Sequence, residues 1–406
     1  MAMQAIRTAS LEEHLTESFE ALRGALDEAV RGVGLAPSQP QVMARKLAVS
    51  RNLTWKISKV VCHRDLYAAL QHLPGDEGIQ IFVASLLRSG AAPELIDRIN
   101  DACARFRDFV ERHAGDRQTL DLMLEGLTNA HDGDRLEQSR KMAFRGNSGI
   151  WGAQARVRLN TAILAPSNRS ADHIDAALIG GLIDFRVLRP GIRWPLSNPR
   201  FYTDDGTPLS KSADEEALDP IFAACEGPPM LGSFCKPGLP KIHRAKTSLG
   251  YVYELEADSI GNTGQQTCMF GSIQRRAFPR RRTPRDEFGE LLTHVSLPVE
   301  HLQFDVIAHK DLAFVFESRL HVRGSSDGSA AGPGSDQLRI PISERPVELT
   351  GRPVVVSSPL VASYDKLVGM AMDRCGWSVR DFRALRLIVP YPPMHASFVM
   401  KFLLPA

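Results

Sequence analysis

The sequence predicts an α+β chain of more than one domain: an all-helical region from the N-terminus to residue 146, then a β-rich region over 153–406 with one late helix. Three observations carry this expectation. Apolar residues recur at helical spacing from Ser10 to Gly146, the period shortens to two after Gly152, and Gly and Pro mark the joints in both halves. A length of 406 residues also exceeds that of one ordinary domain.

Taken in order, the periodicity places helices over 11–33, 40–48, 52–61, 66–71, 77–88, 93–113, 117–128 and 135–144. Pro93 suits a first helical turn, where its missing N–H costs nothing. "GNSGIWG", 146–152, then reads as a hinge between the two regions. Beyond it Val157, Leu159 and Thr161 alternate with Arg156, Arg158 and Asn160, the pattern of a strand with one buried face. Further strands are expected over 177–188, 249–256, 266–273, 291–307, 313–322, 337–342, 353–357, 385–390 and 397–404. The late helix runs over 364–375 and ends at Gly376, with Leu367, Val368, Ala371 and Cys375 on one stripe. Residues 198–229, rich in Pro, Asp and Gly, and 324–336, the low-complexity "GSSDGSAAGPGSD", are expected as loops.

Hydrophobic residues make up 43% of the chain and charged residues 24%, which is ordinary globular composition and excludes the disordered class. A net charge of +2 gives no global argument for a polyanionic partner. The six cysteines follow no C-x-x-C or Cys/His zinc spacing, so no disulfide framework, metal or other cofactor is expected. Neither a signal-peptide core nor an apolar run long enough to span a bilayer is found, and the expected setting is cytoplasmic, without membrane contact.

Local charge is more informative. From Ala36 to Arg64 the chain carries Arg45, Lys46, Arg51, Lys56, Lys59 and Arg64 and no acid, directly after an acidic segment with Glu12, Glu13, Glu17, Glu20, Asp27 and Glu28. Within that basic window lies "QVMARKLAVSRNLTWKISKVV", 41–61. Ser38 and Gln41 have the spacing of an S-x-x-Q capping box, with Pro40 in the first turn. Val42, Met43 and Leu47 point inward beside small Ala44, "LAVS" makes a turn, and Ser50 is placed to cap a second helix from Arg51. On that helix Leu53, Ile57, Val60 and Val61 share one side, opposite Arg51, Asn52, Trp55 and Lys59, with Lys56 at the border.

Over 38–61 the chain resembles a helix-turn-helix DNA-binding motif, with Ala48 where the family usually has glycine and no strand-turn-strand wing after it. The resemblance implies that Arg45, Lys46, Arg51, Asn52, Trp55, Lys56 and Lys59 contact double-stranded DNA. Arg and Asn make bidentate contacts to guanine and adenine, and lysines neutralise phosphates.

Two further clusters stand out in the β-rich region. Arg275, Arg276, Arg280, Arg281, Arg282 and Arg285, with two prolines among them, read as an exposed loop and a possible polyanion contact. His294, Glu300, His301, Asp305, His309 and Asp311 suggest metal ligands, but strand alternation separates them, and polar strand faces are the expectation. No P-loop, G-x-G-x-x-G, H-E-x-x-H or nucleophile elbow occurs, so no catalytic motif supports an enzyme. The expected function is a homodimeric DNA-binding transcriptional regulator whose β-rich region binds an unknown small-molecule effector or oligomerises. The alternative is a non-catalytic scaffold or assembly protein whose basic helices and Arg loop contact acidic partners.

Overall fold

A computed structural model of the chain describes residues 2–127, 133–196, 215–222, 227–247, 250–284, 286–324 and 339–406. It is a mixed α+β protein, helical first and β-rich afterwards, and it divides into two compact units, Met1–His131 and Asp132–Ala406. The division falls earlier than the expected boundary at 146. Residues 146–151, read as a hinge, are the last turns of a helix that belongs to the second unit. The chain reverses only at Gly152, whose φ of 71° is a conformation that glycine adopts without strain.

The first unit contains α1 (Ala2–Gly32), α2 (Pro40–Leu47), α3 (Arg51–Cys62), α4 (Leu66–Leu70), α5 (Asp76–Arg88), α6 (Pro93–His113) and α7 (Arg117–Leu127). Leu15, Phe19, Leu22, Leu26 and Val30 fall on one stripe of α1 and are fully buried, against Ile99, Ala102 and Phe106 of α6. The rings of Phe19 and Phe106 lie 6.1 Å apart. Two arginines close helix ends whose carbonyls have no partner within the helix. Arg23 of α1 donates to the carbonyl oxygens of Val61 and His63 beyond α3, and Arg117 donates to Leu70 at the end of α4.

The second unit begins with α8 (Gly133–Trp151) and continues through β1 (Ala153–Pro166), β2 (His173–Val187), β3 (Arg193–Leu196), β4 (Glu215–Ala217), β5 (Lys241–Thr247), β6 (Gly250–Glu256), β7 (Gln266–Pro279), β8 (Phe288–Val295), β9 (Val299–His309), β10 (Arg319–Gly324), β11 (Val347–Glu348), α9 (Tyr364–Cys375), β12 (Phe382–Pro390) and β13 (Ala396–Leu403). Among the described residues the largest sheet runs β11-β12-β9-β1-β2-β7-β4, with β1 antiparallel to β2 and parallel to β9. Two three-stranded sheets, β10-β13-β8 and β3-β6-β5, accompany it.

Neighbouring residues of β1 point to opposite faces. Thr161 meets the hydroxyl of Tyr364 at 2.8 Å, which sets α9 over one face, and Asn160 donates to the carbonyl of Leu292, which sets β8 over the other. A buried ion pair crosses the middle of the sheet. Arg386 of β12 holds Asp305 of β9, Nη2 to Oδ2 at 2.7 Å, and also donates to the carbonyls of Val356 and Ser357.

Several expected strands are corrected. The run over 291–307 is two strands, because Pro298 cannot donate to a ladder and the chain turns there. The first half of 313–322 belongs to a 3₁₀ helix, Lys310–Glu317, and only its end, from Arg319, is strand, as the start of β10. Residues 353–357 form no strand. Their carbonyls at Val356 and Ser357 are taken by Arg386 instead of a neighbouring strand. Arg339 makes an isolated bridge to Arg323, and the start of the expected strand over 337–342 lies outside the described residues. Within the loop expected at 198–229, β4 and a 3₁₀ turn, Pro220–Phe222, are described, while 198–214, 223–226 and, further on, 325–336 lie outside the described residues.

Candidate nucleic-acid interface

The helix α2 starts at Pro40, one residue later than a Ser38 cap requires. Gln39 is the N-cap, with no side-chain hydrogen bond, so the expected box between Ser38 and Gln41 does not form. The reason is local: the residue before a proline is held out of helical conformation, so the boundary falls at Gln39. Met43, Ala44 and Leu47 are buried in the core of the first unit, and Val42 packs against it. Arg45 and Lys46 in the last turn are exposed.

At the turn Ala48 takes φ 53° and ψ 43°, the left-handed conformation, and its N–H returns to the carbonyl of Ala44. Ser50 is extended, and its Oγ accepts from the N–H of Leu53 at 3.2 Å, capping α3 as the sequence suggests. The buried side of α3 is rotated slightly from the expected one. Thr54, Ile57 and Val60 are buried, while Leu53 and Val61 are half-buried. Thr54 gave no apolar signal, and it is tolerated inside because its Oγ1 donates to the carbonyl of Arg51 at 3.1 Å.

On the opposite side Arg51 and Asn52 are exposed, Trp55 is 43% exposed, and Lys56 and Lys59 are half-buried. Trp55 meets His72 edge-on, ring centroids 5.0 Å apart, and Lys59 lies over the indole with Nζ 5.7 Å from its centroid. Among the described residues, none of Arg45, Lys46, Arg51, Lys56 and Lys59 is paired with an acid. The two helices therefore carry a positive side that no carboxylate among the described residues neutralises. No protein-family model matches the sequence, and no curated protein matches it either.

The arginine cluster is only in part the expected exposed loop: residues 280–284 lie outside any strand, with Arg281 and Arg282 exposed, but the first two arginines do not belong to it. Arg275 and Arg276 belong to β7, and Arg275 is mostly buried between Asp175 and Glu216 at 3.0 and 3.4 Å. Arg280, Arg281 and Arg282 donate to the carbonyls of Asp311, Ala406 and Leu404. Arg285 lies outside the described residues. These partners are distant in sequence, so linear composition could not show that the cluster is engaged within its own unit.

Of the His/acid group, Asp305 serves Arg386, and His309 accepts from the N–H of Asp311 at 3.2 Å, starting the 3₁₀ helix. Burial pushes the His301 imidazole below its usual range. Among the described residues no group of three or more His, Cys, Asp and Glu is placed to hold a metal ion, and no helix is long and apolar enough to cross a membrane.

Proposed function

We propose that the chain is a DNA-binding regulator in which α3 enters the major groove and α2 contacts the backbone beside it. The observation that carries this reading is the unneutralised positive side of α2 and α3, joined by a tight left-handed turn and rigidly backed by core residues. Arg51 and Asn52, exposed in the first turn of α3, stand where a reading helix contacts base edges. Arg45, Lys46, Lys56 and Lys59 supply phosphate contacts, which position without specifying. One such unit buries little surface, so the reading includes a homodimer on paired half-sites, with the second unit as the effector-binding or oligomerisation part.

One observation favours the competing reading of an assembly protein with acidic partners: Trp55 and Lys59 are partly occupied with each other and with His72. Chromatin immunoprecipitation with sequencing in the source organism separates the two. The wild type is compared with a variant carrying Arg51→Ala, Asn52→Ala and Lys59→Ala. Peaks that share a sequence motif and vanish in the variant support the regulator. Motif-free signal, the same in both proteins, overturns it.

A further inference from the structure

We propose that the groove between α9 and the extended segment 353–357 binds a linear aliphatic diamine, with one ammonium on Asp365, the other on Asp373 and the methylene chain between them. The groove lies within the second unit, and the inference stands apart from the DNA-binding reading.

One wall is the side of α9 that carries Asp365, Val368, Gly369, Met372 and Asp373, spaced i, i+3, i+4, i+7 and i+8 and so gathered on one face of the helix. The other wall is 353–357. Its backbone is tied in place on the protein side: the N–H of Val355 donates to the carbonyl of Thr350 at 3.1 Å, and Arg386 donates to the carbonyls of Val356 and Ser357 at 2.8 and 2.7 Å. The groove is therefore formed before any ligand arrives. Trp377, just after the helix cap, also lines it, with its ring set against Phe382 at 5.8 Å between centroids.

The interior is apolar, with Val354, Val356, Val368 and Met372 buried along it. Gly369 stands midway on the helix wall, and a Cβ there would meet nothing within 4 Å, so the middle of the groove is open. The cavity volume is about 530 Å³, which is the size of a small-molecule site.

Charge and spacing then decide the ligand class. Among the described residues that line the groove, the charged ones are Asp365 and Asp373 alone; Lys366 and Arg374, next to them in sequence, lie outside it. Both aspartates are exposed, and among the described residues neither carboxylate has an ion-pair or hydrogen-bond partner. Asp365 sits in the first turn of α9, where the helix dipole favours a carboxylate, but Asp373 sits in the last turn, where the dipole opposes one and favours a cation. Eight residues of helix set the two about 12 Å apart along the axis, too far to share a metal ion or a single ammonium, and about the reach of extended α,ω-diaminooctane. The methylenes of such a chain would cover Val368 and Met372, and the indole of Trp377 suits a cation beside it. An anion meets two like charges, and a monoamine satisfies only one of them.

The test uses the full chain and isothermal titration calorimetry with α,ω-diaminooctane, putrescine and octylamine at equal ionic strength. Saturable binding of diaminooctane is expected. Octylamine, which lacks one ammonium, should bind about fivefold more weakly, and Asp365→Asn or Asp373→Asn should each cost diaminooctane about the same, the worth of one ion pair at an exposed site. Putrescine is too short to reach both carboxylates and should bind more weakly by roughly tenfold or more. Gly369→Leu, which fills the groove and keeps both aspartates, should abolish binding, whereas loose ion pairing at the surface would survive it. Equal affinity for the diamine and the monoamine, equal affinity for the long and the short diamine, or binding unchanged by the aspartate substitutions overturns the proposal, as does no saturable heat in the wild type. Should Gly369→Leu fail to fold, the two asparagine variants, altered only at exposed positions, decide alone.

Discussion

Arg23 of α1 donates from Nη2 to the carbonyl oxygen of His63 at 2.6 Å, and from Nε to that of Val61 at 3.2 Å. One guanidinium thus fastens the end of α3 to the longest helix of the first unit, and its positive charge faces the negative end of the α3 dipole. Arg23→Met is expected to destabilise that unit by about 1–2 kcal/mol in urea denaturation, a charged hydrogen bond discounted for partial exposure. Arg23→Lys should recover only part of the loss, since an ammonium cannot span two carbonyls as the planar fork does. Equal stability of all three proteins would remove this anchor from the account of how α3 is held.

Ala48 occupies a left-handed conformation that costs an L-residue roughly 1–2 kcal/mol, and glycine avoids it at a smaller cost in unfolded-state entropy. Ala48→Gly should therefore raise stability by about 0.5–1 kcal/mol. Melting below the wild type would show that the turn relaxes in solution.

If α3 reads bases, Asn52 and Lys56 differ in kind as well as in degree. Asn52→Ala should lose about 1–3 kcal/mol at one base position and little elsewhere, because it removes a base-edge contact. Lys56→Ala should weaken every sequence alike and reduce the salt dependence of binding by about one counterion. Titration of both variants against selected and scrambled duplexes at two salt concentrations reads the difference. Uniform loss in both, with no sequence dependence in the wild type, favours the acidic-partner reading.

The helices were legible because their signals are local. Pro93 opens α6, Ser50 caps α3, and Gly376 ends α9, each acting within one turn of its own position. The apolar stripe of α9 was equally readable, and Leu367, Val368 and Ala371 are buried as expected. What escaped the sequence depends on distant partners. "PVVVS" at 353–357 has strand composition, yet its carbonyl bonds run to Arg386, some thirty residues on. Arg156 and Arg158 look identical in the alternation of β1, and only the placement of Asp184 separates a paired arginine from an unpaired one. The exposed side of α3 was the readable part of the candidate site, while the engagement of Trp55 with His72 was not.

Asp175 gives the clearest dependence on acid. Burial pushes its carboxyl up, but the N–H of Arg276 at 2.9 Å, the Ser167 hydroxyl and the Arg275 guanidinium at 3.0 Å outweigh burial, and its pKa falls below the usual carboxylate value. Between the lowered folded pKa and the unfolded value near 4, the unfolded chain binds more protons than the folded one, so stability rises with pH through that window. The contribution of Asp175 is complete above about pH 5 and is lost as pH falls through the folded value. Asp175→Asn takes one of its carboxylate partners from Arg275 and should cost about 2–4 kcal/mol at pH 7, because it strips that partner from a mostly buried charge. The gap between wild type and variant in urea denaturation should then narrow as the pH is taken from 5 to 3. A gap that stays constant over that range would mean that Asp175 titrates alike in both states, and that its hydrogen bonds do no more than offset the cost of burial.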